Sequence, residues 1–63
     1  MQQRFRVELL VNTELHPTES ILVKEVIATG ADDAMDIAIR LLQKEYPTAS
    51  WVKIDPWHVE TIR

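Results

Sequence analysis

Residues 20–47 read SILVKEVIATGADDAMDIAIRLLQKEYP, and within this stretch the spacing of apolar residues changes character once, at Gly30. Ahead of the glycine, Ile21, Val23, Val26 and Ile27 supply the β-branched side chains that suit a pleated surface, which predicts a strand over 20–29. Beyond it, Ala31 to about Glu45 follows the helical period. Gly30 serves as the N-cap, Asp32 and Asp33 suit the positive end of the helix dipole, and Pro47 stops the helix after Tyr46.

At about 100° per residue, the polar residues Asp32, Asp33, Asp36, Arg40, Gln43 and Lys44 fall in an arc of about 120°. Ala31, Ala34, Met35, Ile37, Ala38, Ile39, Leu41, Leu42 and Tyr46 cover roughly 200°, more than an ordinary surface helix buries. The alanines sit near the middle of that arc. Close approach to a sheet through Ala34, Ala38 and Leu41 is expected. The preceding strand is less regular. Leu22, Val26 and Ala28 share one parity with Lys24, while Ile21, Val23 and Ile27 share the other with Glu25. Either a bulge near Lys24–Glu25 switches the faces, or this is an edge strand with apolar residues on both sides.

Outward from this core, residues 4–12 read RFRVELLVN. Phe5, Val7, Leu9 and Val11 alternate with polar neighbours, the period of a strand with one buried face, and Leu10 is the single aliphatic exception. Thr13 to Glu19 form a polar loop broken by Pro17. Residues 50–55 make a third strand, and Trp57 to Ile62 continue it beyond a kink at Pro56. Proline gives no ladder hydrogen bond, so this strand belongs at an edge. The order β-β-α-β therefore predicts an α+β fold. Its sheet has three antiparallel strands in the order 2-1-3, with one helix on one face and a right-handed crossover between strands two and three.

With 63 residues the chain is one domain, 1–63, and its core is thin. It has no cysteine, so no disulfide reinforces it, and that absence fits a reducing, cytoplasmic setting. No apolar run approaches the roughly 18 residues of a membrane span, and the start lacks a signal-peptide core. Net charge is −3 with the basic residues scattered, which disfavours nucleic acid as a partner.

Residues able to do chemistry are sparse. His16 and His58 each have a carboxylate two positions away and no third donor at ligand spacing, so no metal and no cofactor is expected. Asp32, Asp33 and Asp36 read as a solvated face that complements the helix dipole, or as a contact for a basic partner. General acid–base work would need a pocket that desolvates one of them. A single glycine cannot build a phosphate loop. The chain is not expected to be an enzyme.

Trp51 and Trp57 stand out, because one small core has little room for two indoles and tryptophan is enriched among binding hot spots. Both outer strands present edges that invite another chain. Pro56 removes one donor from the third, whereas Lys24 and Glu25 put charge in the centre of the second. The second is expected to be the better-guarded edge. The interaction surface is accordingly placed on the C-terminal strand. Trp57 is its anchor, with Trp51, His58 and Ile62 around it and Arg4 or Arg6 reaching across the open sheet face.

The phrase VIATGADDAMDIA, Val26 to Ala38, resembles one found in small phage β-β-α-β proteins that inhibit bacterial RNA polymerase. Val26, Ala28, Asp32, Asp33, Ala34 and Ala38 carry the likeness, and anti-CRISPR proteins fall in the same size class. The resemblance implies a phage or mobile-element protein that binds a host macromolecular complex, an RNA polymerase or a defence system. Most of the matching positions serve strand–helix packing, so no binding residue follows from it. This sequence departs from the pattern at Gly30, at Lys24 and in a longer hairpin loop.

The leading expectation is a non-enzymatic protein-binding module. A small RNA- or ribosome-associated domain using Arg4, Arg6 and Lys53 as phosphate contacts is the alternative, and a purely structural homo-oligomer is a third reading. A host or partner protein is the expected ligand, with a homodimer as a further association.

Overall fold

The computed structural model describes residues 1–62. Its elements are β1 (Gln3–Thr13), β2 (Ser20–Ala28), α1 (Ala31–Glu45) and β3 (Trp51–Ile62). The sheet order is β2-β1-β3 and both pairings are antiparallel, the α+β arrangement expected from the alternation of β1 and the proline of β3.

The centre of the sheet builds the core. Phe5, Val7, Leu9 and Val11 are each at most 5% exposed, and Val26 and Ala28 join them from β2. From the helix come Ala34, Ala38 and Leu42, all at 0% exposure. These three form an i, i+4 row along one side of α1. Two methyl groups let the backbone come close to the sheet, and Leu42 then fills the space near its end. Burying such a leucine stabilises the fold by about 1.5–3 kcal/mol. Leu41, expected to pack here, is instead 39% exposed, because the row that meets β1 passes through position 42. Met35, Ile37 and Ile39 pack at the flanks, so part of the wide apolar arc is used there.

Gly30 caps α1 in an extended conformation with no side-chain bond. The cap is completed from the first turn, where Asp33 accepts hydrogen bonds from the Thr29 backbone N–H (3.2 Å) and hydroxyl (3.3 Å). Asp36 pairs with Arg40 one turn on, at 2.6 Å. Two of the three helix aspartates are thus occupied locally. At the other end the Tyr46 N–H donates to the Leu42 carbonyl at 3.1 Å before Pro47 ends the run.

Register runs unbroken between β1 and β2, from Gln3 opposite Ala28 to Val11 opposite Ser20. No bulge interrupts Lys24–Glu25, so the alternative of an edge strand apolar on both faces holds. Leu22, Lys24, Val26 and Ala28 look toward the helix. Ile21, Val23, Glu25 and Ile27 look away. β3 is irregular where β2 is not. It is one strand through Pro56 rather than two segments, but its pairing with β1 slips between Glu8 and Leu9 and again between Asn12 and Thr13. Trp57 and Val52 are left without partners at those points, each an extra residue that bends the strand. Among the described residues no helix is long and apolar enough to cross a membrane.

Candidate functional site

One helix covers one face of the sheet, which leaves the other open. Its residues can be placed row by row from the register. Arg4 lies between Ile27 of β2 and Ile62 of β3. Arg6 lies between Glu25 and Glu60, and Glu8 between Val23 and His58. Leu10, Asn12, Asp55 and Lys53 continue the face toward the hairpin loop.

The charged rows are loosely joined. Arg6 approaches Glu60 at 3.6 Å, and the His58 imidazole lies 3.9 Å from Glu60 and 4.0 Å from Glu8. These separations exceed hydrogen-bond length, and exposed pairs of this kind contribute about 0–1 kcal/mol. They orient side chains without locking them. Trp57, the extra residue at the first slip, is pushed off the ladder and is 56% exposed, with its ring centroid 6.1 Å from that of His58.

Of the six residues nominated from sequence, the structure brings five together: Arg4, Arg6, Trp57, His58 and Ile62 occupy adjoining rows of β1 and β3. Trp51 does not join them. It begins β3, six residues from Trp57 or about 20 Å along a strand. There it packs against the core and meets Tyr46 edge-on at 6.1 Å. Sequence reasoning missed Glu8 and Glu60, which surround His58 and face Arg6. The apolar row on β2 was read from the sequence but left out of the site, and there Ile21, Val23 and Ile27 are 51%, 43% and 60% exposed. Their parity, opposite to Val26, was the available signal.

The second feature lies at the other end of the molecule. The hairpin loop and the segment after α1 enclose a cleft of about 650 Å³ between Val11, Leu15, Leu22, Tyr46, Ala49 and Trp51. The loop is held by the Asn12 amide donating to the Pro17 carbonyl at 3.2 Å and by the Glu14 N–H donating to the Ser50 carbonyl at 3.2 Å. Lys53 donates to Glu19 at 2.8 Å, and that hydrogen bond, followed by the attraction of the charge, raises the Lys53 pKa above its ordinary value. Two buried polar atoms of residues at the cleft, Asn12 Oδ1 and Trp51 Nε1, have no hydrogen-bond partner among the described residues. Nothing in the sequence marks the cleft, since its walls come from two loops and the ends of three elements.

No protein-family model, curated protein or solved structure matches this chain.

Proposed function

We propose that the protein is a non-enzymatic protein-binding module whose docking surface is the open sheet face around Trp57. The carrying observation is the bulge. An indole displaced from its ladder, more than half exposed and set against His58, shares its sheet face with the rows of Arg6 and then of Arg4 and Ile62, a large apolar contact with adjustable polar groups along one side. That is the composition of a binding hot spot and its rim. Trp51 belongs to the core side and has no part in this surface.

The RNA-associated alternative is less well supported. On the open face Arg4, Arg6 and Lys53 stand among Glu8, Glu25, Asp55 and Glu60. Lys53 is bonded to Glu19 and Arg6 lies near Glu60, so two of the three cations already face carboxylates. A phosphate backbone needs free cations in a row. The likeness of Val26–Ala38 to small phage inhibitors extends the proposal to a cytoplasmic phage or mobile-element product acting on a host RNA polymerase or defence complex.

The test is capture from nuclease-treated bacterial lysate by the tagged chain and by its Trp57→Ala variant, the variant first shown to be folded by circular dichroism. Truncating an anchor of this kind should cost about 2 kcal/mol or more of binding. Capture should also persist between about 50 and 200 mM salt, where phosphate-driven binding falls steeply. A folded variant that captures the same protein undiminished would refute the proposed site.

A further inference from the structure

The two edges of the sheet are protected to different degrees. β3 carries a proline and two unpaired residues, Val52 and Trp57, features that disrupt a ladder and turn an edge away from other strands. β2 has nine residues in unbroken register with β1 and contains neither proline nor glycine. The charges along its middle are Lys24, on the helix side, and Glu25, on the open face. The Lys24 ammonium is held by the Glu45 carboxylate, so it does not project along the edge as a free charge. β2 is therefore the more regular of the two edges, with Glu25 its remaining free charge near the centre among the described residues.

We propose that β2 pairs with β2 of a second copy, antiparallel about a two-fold axis through Lys24. The product is one continuous six-stranded sheet with both helices on the same face. The occupant follows from the strand's own pattern. Counting outward from Lys24, Leu22 meets Val26 of the second copy and Ile21 meets Ile27, each pair twice, with Ser20 opposite Ala28 at the ends. Ile21–Ile27 and Leu22–Val26 set apolar residues against apolar residues on both faces, while Val23 against Glu25 and the terminal Ser20 against Ala28 are mixed. Sliding by two residues one way sets Glu25 against its own copy. Sliding the other way sets Ile21 against Glu25. Both slips also shorten the pairing, and a one-residue slip exchanges the faces.

The lysine on the axis is the apparent obstacle, since like charges directly opposite are destabilising. Each Lys24 arrives already paired with Glu45, so two ion pairs meet at the axis instead of two bare ammonium groups. Dimerisation also covers the half-exposed Ile21 and Ile27, which the monomer leaves in water. This proposal is independent of the reading of Trp57, which lies on the opposite edge strand.

Sedimentation equilibrium on the full chain should show a monomer–dimer equilibrium, with a Kd on the order of 10–100 μM for so small an interface. Because the chain has no cysteine, Lys24→Cys is a clean probe. Facing residues of an antiparallel pair have Cα atoms about 4.5–5.5 Å apart, within disulfide reach. Mild oxidation should convert that variant largely to covalent dimer. Ser20→Cys, whose two copies lie at opposite ends of the nine-residue pair, should stay monomeric. Ile21→Asp and Ile27→Lys should each weaken association roughly ten-fold or more, about 1.4 kcal/mol. The double variant, which sets carboxylate against ammonium twice across the axis, should recover it, and Trp57→Ala should leave it unchanged. A wild-type chain that is monomeric at about 1 mM refutes the dimer. Equal cross-linking at positions 20 and 24, or a double variant no stronger than the singles, refutes the register.

Discussion

Lys24, halfway along β2, reaches over the sheet to Glu45, the last residue of α1. A carboxylate is unfavourable at the negative end of a helix, so the ammonium offsets a local electrostatic cost while tying the strand to the helix end. Lys24→Met and Glu45→Gln should each lower stability by less than about 1 kcal/mol. Urea denaturation of both singles and the double should give a coupling of about 0.5–1 kcal/mol that shrinks in 1 M salt. A coupling of zero at low salt would show that the contact is not maintained in solution.

The close approach of α1 to β1 rests on Ala38, which is fully buried in the same core cluster as Leu9 and Val7. Ala38→Leu should overpack this contact and destabilise the protein by roughly 1–3 kcal/mol. The comparison is Leu41→Ala, on a residue 39% exposed, which should cost clearly less. An unchanged denaturation midpoint for Ala38→Leu would disprove the close helix–sheet contact.

Gly30 adopts an extended conformation open to any residue, and a side chain there would meet nothing within 4 Å. Gly30→Ser should stabilise the fold by about 0.5–1 kcal/mol, through a hydroxyl that caps the first turn and a less flexible unfolded chain. A rise of a few degrees in Tm by calorimetry is the expected result. A fall would mean that the cap geometry is wrong.

Trp51 Nε1 is buried without an acceptor among the described residues. An unsatisfied donor costs about 1–3 kcal/mol, so replacing the indole by a ring without an N–H offsets much of the lost packing. Trp51→Phe should therefore change stability by under about 1 kcal/mol, whereas Trp51→Ala should cost about 3 kcal/mol or more. If the two variants lose stability equally, the indole N–H has a partner in solution.

The architecture was legible because local pattern and global topology agree. The alternation of Phe5 through Val11 marks a strand buried on one side, and Pro56 marks an edge. Together they leave little choice but β1 in the centre. The candidate site was legible only in part. Arg4, Arg6, His58 and Ile62 follow from the parity of two strands, and Pro56 marks an irregularity beside Trp57, but a proline alone does not say which neighbour leaves the ladder, and the slip at Val52 has no local signature. Nor could the partner of Lys24, since Glu45 is brought to it by the packing angle of α1 and not by any spacing. A helix arc of 200° could not choose between Leu41 and Leu42 either. That choice depends on which row the sheet meets.

The pairing of Arg4 with Ile62 has a consequence for how the chain comes to be folded. β1 precedes the hairpin partner and the helix in chain order and β3 follows them, so a hairpin and helix that form early leave one side of β1 unpaired until β3 docks. Contacts this distant in sequence are slow to close. Folding should therefore be one cooperative event rather than proceed in stages, and until β3 docks the unpaired side of β1 is the segment most open to capture by a chaperone or by another chain.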